Sequence, residues 1–193
     1  MSSPVNPKNG NGDIPNLELI SFEGEIIVID APKSVELAVN ELRSASVLGF
    51  DTETKPSFKK GEKYSIALLQ LSTDKKAYLF RLNKIGLPEP IVDILSSTEI
   101  KKVGLAIRDD LRGLKELANF EPKNFIEIQD VAKVKGLKSQ GLQTITEEIF
   151  QKRLSKKAKL TNWEAMKLTE AQILYAATDA WIGLQIYTHL EKI

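Results

Sequence analysis

A chain of 193 residues with 42% hydrophobic content is long enough for one well-buried domain and too short for two of ordinary size, and no apolar run in it reaches the length of a membrane-spanning helix. With 27 Lys and Arg against 26 Asp and Glu, it lacks the basic excess of a tight, non-specific nucleic-acid binder, so any such contact has to come from a local patch. The absence of cysteine and the presence of a single histidine, His189, exclude disulfide-linked partners, thiolate zinc sites and cysteine nucleophiles, fit a cytoplasmic location, and leave Ser-His-Asp triads and histidine metal sites without material.

Residues 2–16 are rich in Pro, Gly, Asn and Ser and hold no apolar core for a signal peptide, so residues 1–20 are expected to form a flexible leader and 21–193 a single domain. Residues 26–29 are a β-branched run, and 30–32 open an amphipathic helix carrying Val35, Leu37, Ala38 and Leu42. A strand follows at 47–53. Residues 64–72 and 77–80 flank a polar turn at 73–76 and read as antiparallel neighbours. A helix is expected over 88–95, a short strand over 101–105, and a helix over 109–117 with Leu111, Leu114 and Leu117 on one face. A last strand at 124–128 precedes a helical remainder, with one helix at 141–150 and a long final one from Thr169, whose hydroxyl is placed to cap it. Short strands alternating with helices predict one mixed α/β sheet.

Three segments carry chemistry. In Gly49-Phe50-Asp51-Thr52-Glu53 two acids two apart on a strand point to one face, where they repel unless a cation lies between them. Hard oxygen ligands of this kind suit magnesium or manganese. In Tyr175-Ala176-Ala177-Thr178-Asp179 a spacing of four puts the tyrosine and the acid on one helical face, able to hold a water beside a metal-bound acid or simply to pack in a core. In Ile107-Arg108-Asp109-Asp110 a strand gives way to a helix where two acids stand, and either could be a ligand or a cap.

The order of these segments, with 67–80 (ALLQLSTDKKAYLF) and 161–180 (TNWEAMKLTEAQILYAATDA) between and around them, resembles the DEDDy 3′→5′ exonucleases, ribonuclease D-like and closest in kind to the exonuclease domain of the Werner-syndrome helicase. The resemblance runs from about residue 22 to the C-terminus and implies a ribonuclease-H-like mixed sheet flanked by helices. It further implies hydrolysis of phosphodiester bonds at DNA or RNA 3′ ends, with release of nucleoside 5′-monophosphates and two divalent ions, Mg2+ or Mn2+. Carried over by position, Asp51 bridges both ions, Glu53 and Asp179 complete the first, Asp110 serves the second, and Tyr175 orients the water. A histidine-type relative would need a histidine at position 175, and His189 lies too far along the helix.

Lys156, seven residues before Trp163, matches a family basic residue facing the phosphate, although the run 152–159 also fits a solvated loop. Trp163, Phe50, Leu68 and Trp181 read as core. Without a Gly-rich loop after a strand, a Rossmann-type nucleotide protein is excluded. The alternative to an exonuclease is a catalytically silent module on the same fold, and the filled acidic set argues against it.

Overall fold

The computed structural model describes residues 17–155 and 157–193. Six strands form one mixed sheet: β1 (Glu25–Ile29), β2 (Val47–Thr54), β3 (Ile66–Ser72), β4 (Lys76–Phe80), β5 (Lys101–Gly104) and β6 (Phe125–Glu127). Their order is β1-β4-β3-β2-β5-β6. β3 runs antiparallel to both β2 and β4, while β1–β4, β2–β5 and β5–β6 are parallel pairs. This is the mixed α/β sheet that the sequence predicts.

Helices cover both faces, as a sheet with parallel pairs requires. On one side, α1 (Val35–Leu42), α3 (Glu89–Ser96) and α4 (Ile107–Leu117) bury Val39, Leu42, Ile91, Ile94 and Leu114 against Leu48, Phe50, Leu69 and Leu71 of the sheet. The other face lies under α7 (Glu170–Leu190), whose Ala176 and Ala177 meet Ala67, Leu68, Leu79 and Trp163. α5 (Ile128–Val134) and α6 (Leu142–Phe150) complete that layer through Ile128, Ile145, Ile182 and Ile186. β3, buried along its whole length, reads as a continuous apolar run because it is covered on both faces.

Several boundaries differ from the sequence reading. Leu37 is 71% exposed and does not belong to the buried face of α1, which is Val35, Ala38, Val39 and Leu42. α4 starts two residues early, at Ile107, and β6 stops at Glu127. A short α2 (Leu82–Ile85) and the separate α5 carry too little periodicity to be read from the chain. Of the expected leader, Glu18 and Ile20 make backbone hydrogen bonds with Arg153 (3.0 and 2.9 Å); residues 1–16 lie outside the described residues.

One contact sets the distance between β2 and α7. A Cβ on Gly49 would stand 2.0 Å from the Ala180 carbonyl oxygen and 2.4 Å from the Ser72 hydroxyl, so only glycine lets the helix lie this close. Gly49→Ala is expected to force the two elements apart at about 2–3 kcal/mol, lowering the melting temperature by about 5–10 °C. Calorimetry of the variant checks this; an unchanged melting temperature contradicts the close approach.

Candidate active site

β2 alternates, with Leu48 and Phe50 entering the core beside α1 and α3, so Gly49, Asp51 and Glu53 face α7. The register between β2 and β3 shifts just after Glu53, a local irregularity of the kind that re-aims side chains at sheet ends. Asp179 follows directly before Ala180, and the Gly49 contact therefore delivers its carboxylate to the acids of β2. Ligand atoms of Asp51, Glu53 and Asp179 all lie within 4.8 Å of one another. They stand at the base of a cleft of about 650 Å3 that Tyr175, Leu142, Lys159 and Leu160 also line.

Such crowding is unfavourable for charge. Burial, and then the Asp179 and Asp110 carboxylates, hold Asp51 well above the ordinary carboxylate range. Glu53 is pushed up to about 10 by burial and by Asp51, Asp179 and Asp110. Burial takes Asp179 to about 7, with the Tyr175 hydroxyl and the Lys159 ammonium opposing the rise. Tyr175, one helical turn before Asp179, is raised far above its usual value by burial and by Asp179 and Glu53, so the phenol keeps its proton. Three carboxyl groups this close cannot all ionise unless a cation lies among them.

Asp110 stands apart from this trio. Its carboxylate accepts a hydrogen bond from the Thr52 hydroxyl, on the side of β2 away from Asp51 and Glu53. Burial raises its pKa, and Thr52 opposes that. Neither acid of the pair caps α4: Asp109 is 86% exposed at its side chain and pairs with Arg112 at 3.0 Å. The cap is Glu127, whose carboxylate accepts from the backbone N–H groups of Ala106 (2.9 Å), Ile107 (3.0 Å) and Gln129 (3.2 Å). Thr52 and Glu127 escape sequence reasoning because their partners are remote in the chain.

The segment before α7 is anchored from below. Trp163 is fully buried with its ring 6.1 Å from that of Tyr175, which supports the core reading. Thr169 caps α7, its hydroxyl accepting from Gln172 N–H while the Gln172 side-chain oxygen accepts from Thr169 N–H at 3.0 Å. The Gln172 amide nitrogen donates to Thr161 (3.0 Å) and to the Asn162 carbonyl (3.2 Å). Phe50 and Leu68 are buried; Trp181 packs at a tilt against Phe22, with ring centroids 5.8 Å apart. His189 packs edge-on to Phe150. Lys156 lies outside the described residues, and Lys159 of the same run is the lysine that lines the cleft.

A mixed sheet flanked by helices, with acids from a central strand and a crossing helix in one cleft, is an α/β arrangement of the ribonuclease-H-like kind. The family model described as 3′-5′ exonuclease matches residues 26–193, and the chain belongs to that family. It is 33% identical over 188 residues to the bifunctional 3′-5′ exonuclease/ATP-dependent helicase WRN of Mus musculus, covering 92% of this chain and 13% of that protein. A 3′-5′ exonuclease of Arabidopsis thaliana is 30% identical over 152 residues, or 76% of this chain and 53% of that one. The chain thus spans only a part of either relative. Among solved structures, RNase D of Escherichia coli superimposes with a TM-score of 0.78 at 26% identity, over 88% of this chain and 44% of that one. The Aedes aegypti Nibbler EXO domain shares the fold, with a TM-score of 0.81 at 19% identity over 90% of this chain and 91% of that domain. No helix among the described residues is long and apolar enough to cross a membrane.

Burial of Asp179 in the cleft has a measurable sign. With its folded-state pKa raised from 3.8 to about 7, Asp179 favours the fold while protonated and loses that contribution as pH rises through about 7. Asp179→Asn is therefore expected to raise the melting temperature of the metal-free protein by about 4–8 °C at pH 8, roughly 2 kcal/mol after discounting for solvent in the cleft. At pH 5 the gain should be less than half as large. Melting curves at the two pH values in chelator check this, and a variant no more stable than wild type at pH 8 contradicts it.

Proposed function

We propose that the chain removes nucleotides one at a time from the 3′ end of DNA or RNA, hydrolysing the last phosphodiester bond and releasing a nucleoside 5′-monophosphate. The observation that carries this reading is the convergence of Asp51, Glu53 and Asp179 within 4.8 Å, beside Tyr175 in the same cleft. The donor set fits a divalent cation: it is all carboxylate oxygen, partly shielded, and repels itself when ionised. Asp51, Glu53 and Asp179 would hold one Mg2+ or Mn2+ ion, and Asp110 with Asp51 a second, for which Asp110 has to leave the Thr52 hydroxyl. The chemistry such ions supply when bound is activation of a water and neutralisation of charge at the phosphate and the leaving 3′ oxygen.

The protein's own residues supply position. Tyr175, fixed by Trp163 behind its ring, offers a hydroxyl that can hold the attacking water by accepting or donating a hydrogen bond. Lys159 offers a cation to the phosphate from the opposite wall. Leu142 and Leu160 line the same cleft and offer the terminal nucleotide apolar contact.

The test is digestion of 5′-labelled DNA and RNA oligonucleotides in magnesium or manganese, with the expected result a ladder shortening from the 3′ end. Chelator should stop it and a circular single strand should survive; cutting of the circle overturns the reading. Tyr175→Phe should lower turnover by about ten- to a thousand-fold with metal-dependent stabilisation largely kept, and an unchanged rate would return Tyr175 to a packing role. Asp110→Asn should abolish most activity while Asp109→Asn leaves most of it, because only Asp110 faces the acid cluster's strand. The opposite ranking at saturating metal assigns the ligand to Asp109.

A further inference from the structure

β3 is buried along its whole length, yet two of its residues are polar. Gln70 and Ser72 are both fully buried, and neither the two carboxamide atoms of Gln70 nor the Ser72 hydroxyl has a hydrogen-bond partner. Of the five buried side-chain atoms without a partner among the described residues, three belong to this pair, so the shortfall is concentrated at one place. A buried carboxamide without partners is destabilising, and a position that needed only packing would be better served by leucine or methionine.

The register shows what lies beside it. Leu68, two residues earlier and on the same face, packs under α7 together with Leu79, and Leu79 is the partner of Gln70 on β4. Its partner on β2 is Asp51. Directly opposed residues of antiparallel strands point to one face with Cβ atoms about 4.5–5.5 Å apart, so the Gln70 side chain stands along the buried flank of the Asp51 carboxyl. Ser72 is opposed to Gly49 instead, where its hydroxyl and the Ala180 carbonyl crowd the space above the glycine. Asp51 itself takes the Thr52 backbone N–H on Oδ1 at 2.9 Å, and a single bond leaves the carboxylate plane able to turn about it.

We infer that Gln70 is a positioning residue for Asp51, its Nε2 amide donating a hydrogen bond to the carboxylate and so fixing the plane in which Asp51 meets a divalent cation. The inference rests on the cation reading of Asp51 above and adds a residue to it. The terminal torsion of a glutamine is soft, so the amide turns to the acid opposite it without any movement of β3. A carboxamide orients the acid without neutralising it, which leaves the negative charge for the cation. Gln70 then acts with opposite signs on the fold and on the site: it is unfavourable to the first and useful to the second.

Gln70→Met in the full chain, close to glutamine in volume and without a polar hydrogen, separates the two effects, and Gln70→Leu repeats the change with a branched side chain. Manganese binding is followed without nucleic acid by the electron paramagnetic resonance of free Mn2+, and melting temperatures are taken in chelator. Both variants should bind Mn2+ about 10-fold or more weakly while melting about 3–6 °C higher, because a buried unpaired group is gone. Ser72→Ala removes the neighbouring unpaired hydroxyl, which is opposed to no acid; it should also melt higher but keep the wild-type Mn2+ affinity. Wild-type affinity in both Gln70 variants overturns the positioning role. So does a loss of affinity that Ser72→Ala shares, or one that comes with a lowered melting temperature in both Gln70 variants, the mark of a packing defect. A wild type that binds no Mn2+ overturns the cation reading of Asp51 itself, and the inference with it.

Discussion

The site depends on one backbone contact, the approach of α7 to β2 at Gly49 and Ala180. With no side chain at Gly49, the strand meets the helix backbone almost directly, and the alanines at 176, 177 and 180 keep the same face of α7 thin. The helix is held there by apolar burial along most of its length. That burial offsets the repulsion at the strand's end, where three carboxylates share a few ångströms. The protein thus spends packing energy to keep together groups that would separate if free, the usual relation between a stable frame and a strained site.

The four acids are not mechanically equivalent. Asp51, Glu53 and Asp179 sit on a buried strand and the middle of a long helix, elements with little freedom to rearrange. Asp110 stands in the first turn of α4, whose preceding residue, Ala106, has a positive φ of 59°, a conformation that costs a non-glycine residue of order 1 kcal/mol. Its carboxylate is engaged by the Thr52 hydroxyl, on the side of β2 away from the other three.

What the sequence made legible was whatever repeats with a local period. Asp51 and Glu53 share a face because strands repeat every two residues, and Tyr175 and Asp179 because helices repeat near four; the Thr169 cap is equally local. The mixed sheet and its helical layers follow from alternation of the same kind. Thr52 with Asp110, 58 residues apart, and Glu127 with Ala106, 21 apart, were illegible because nothing in either residue's neighbourhood marks its partner. The order of strands was hidden for the same reason, as was the meaning of Gly49, which as a sequence feature is only a small residue in a strand. Leu37 shows the converse error: an apolar residue can fit a helical stripe and still face water.

Glu127 carries a further consequence. One carboxylate holds the first N–H groups of α4 and an N–H at the start of α5, so neither helix start can fray without releasing the other. The two should open as one cooperative unit in amide hydrogen exchange, with matched protection at residues 106, 107 and 129. The β2–β3 loop on the other bank of the cleft has no such tie: the hydrogen bonds recorded for residues 57–64 stay within the loop, and it can open at little free-energy cost. One wall of the cleft therefore exchanges slowly and the other fast, and any widening needed to admit a strand falls to the fast one.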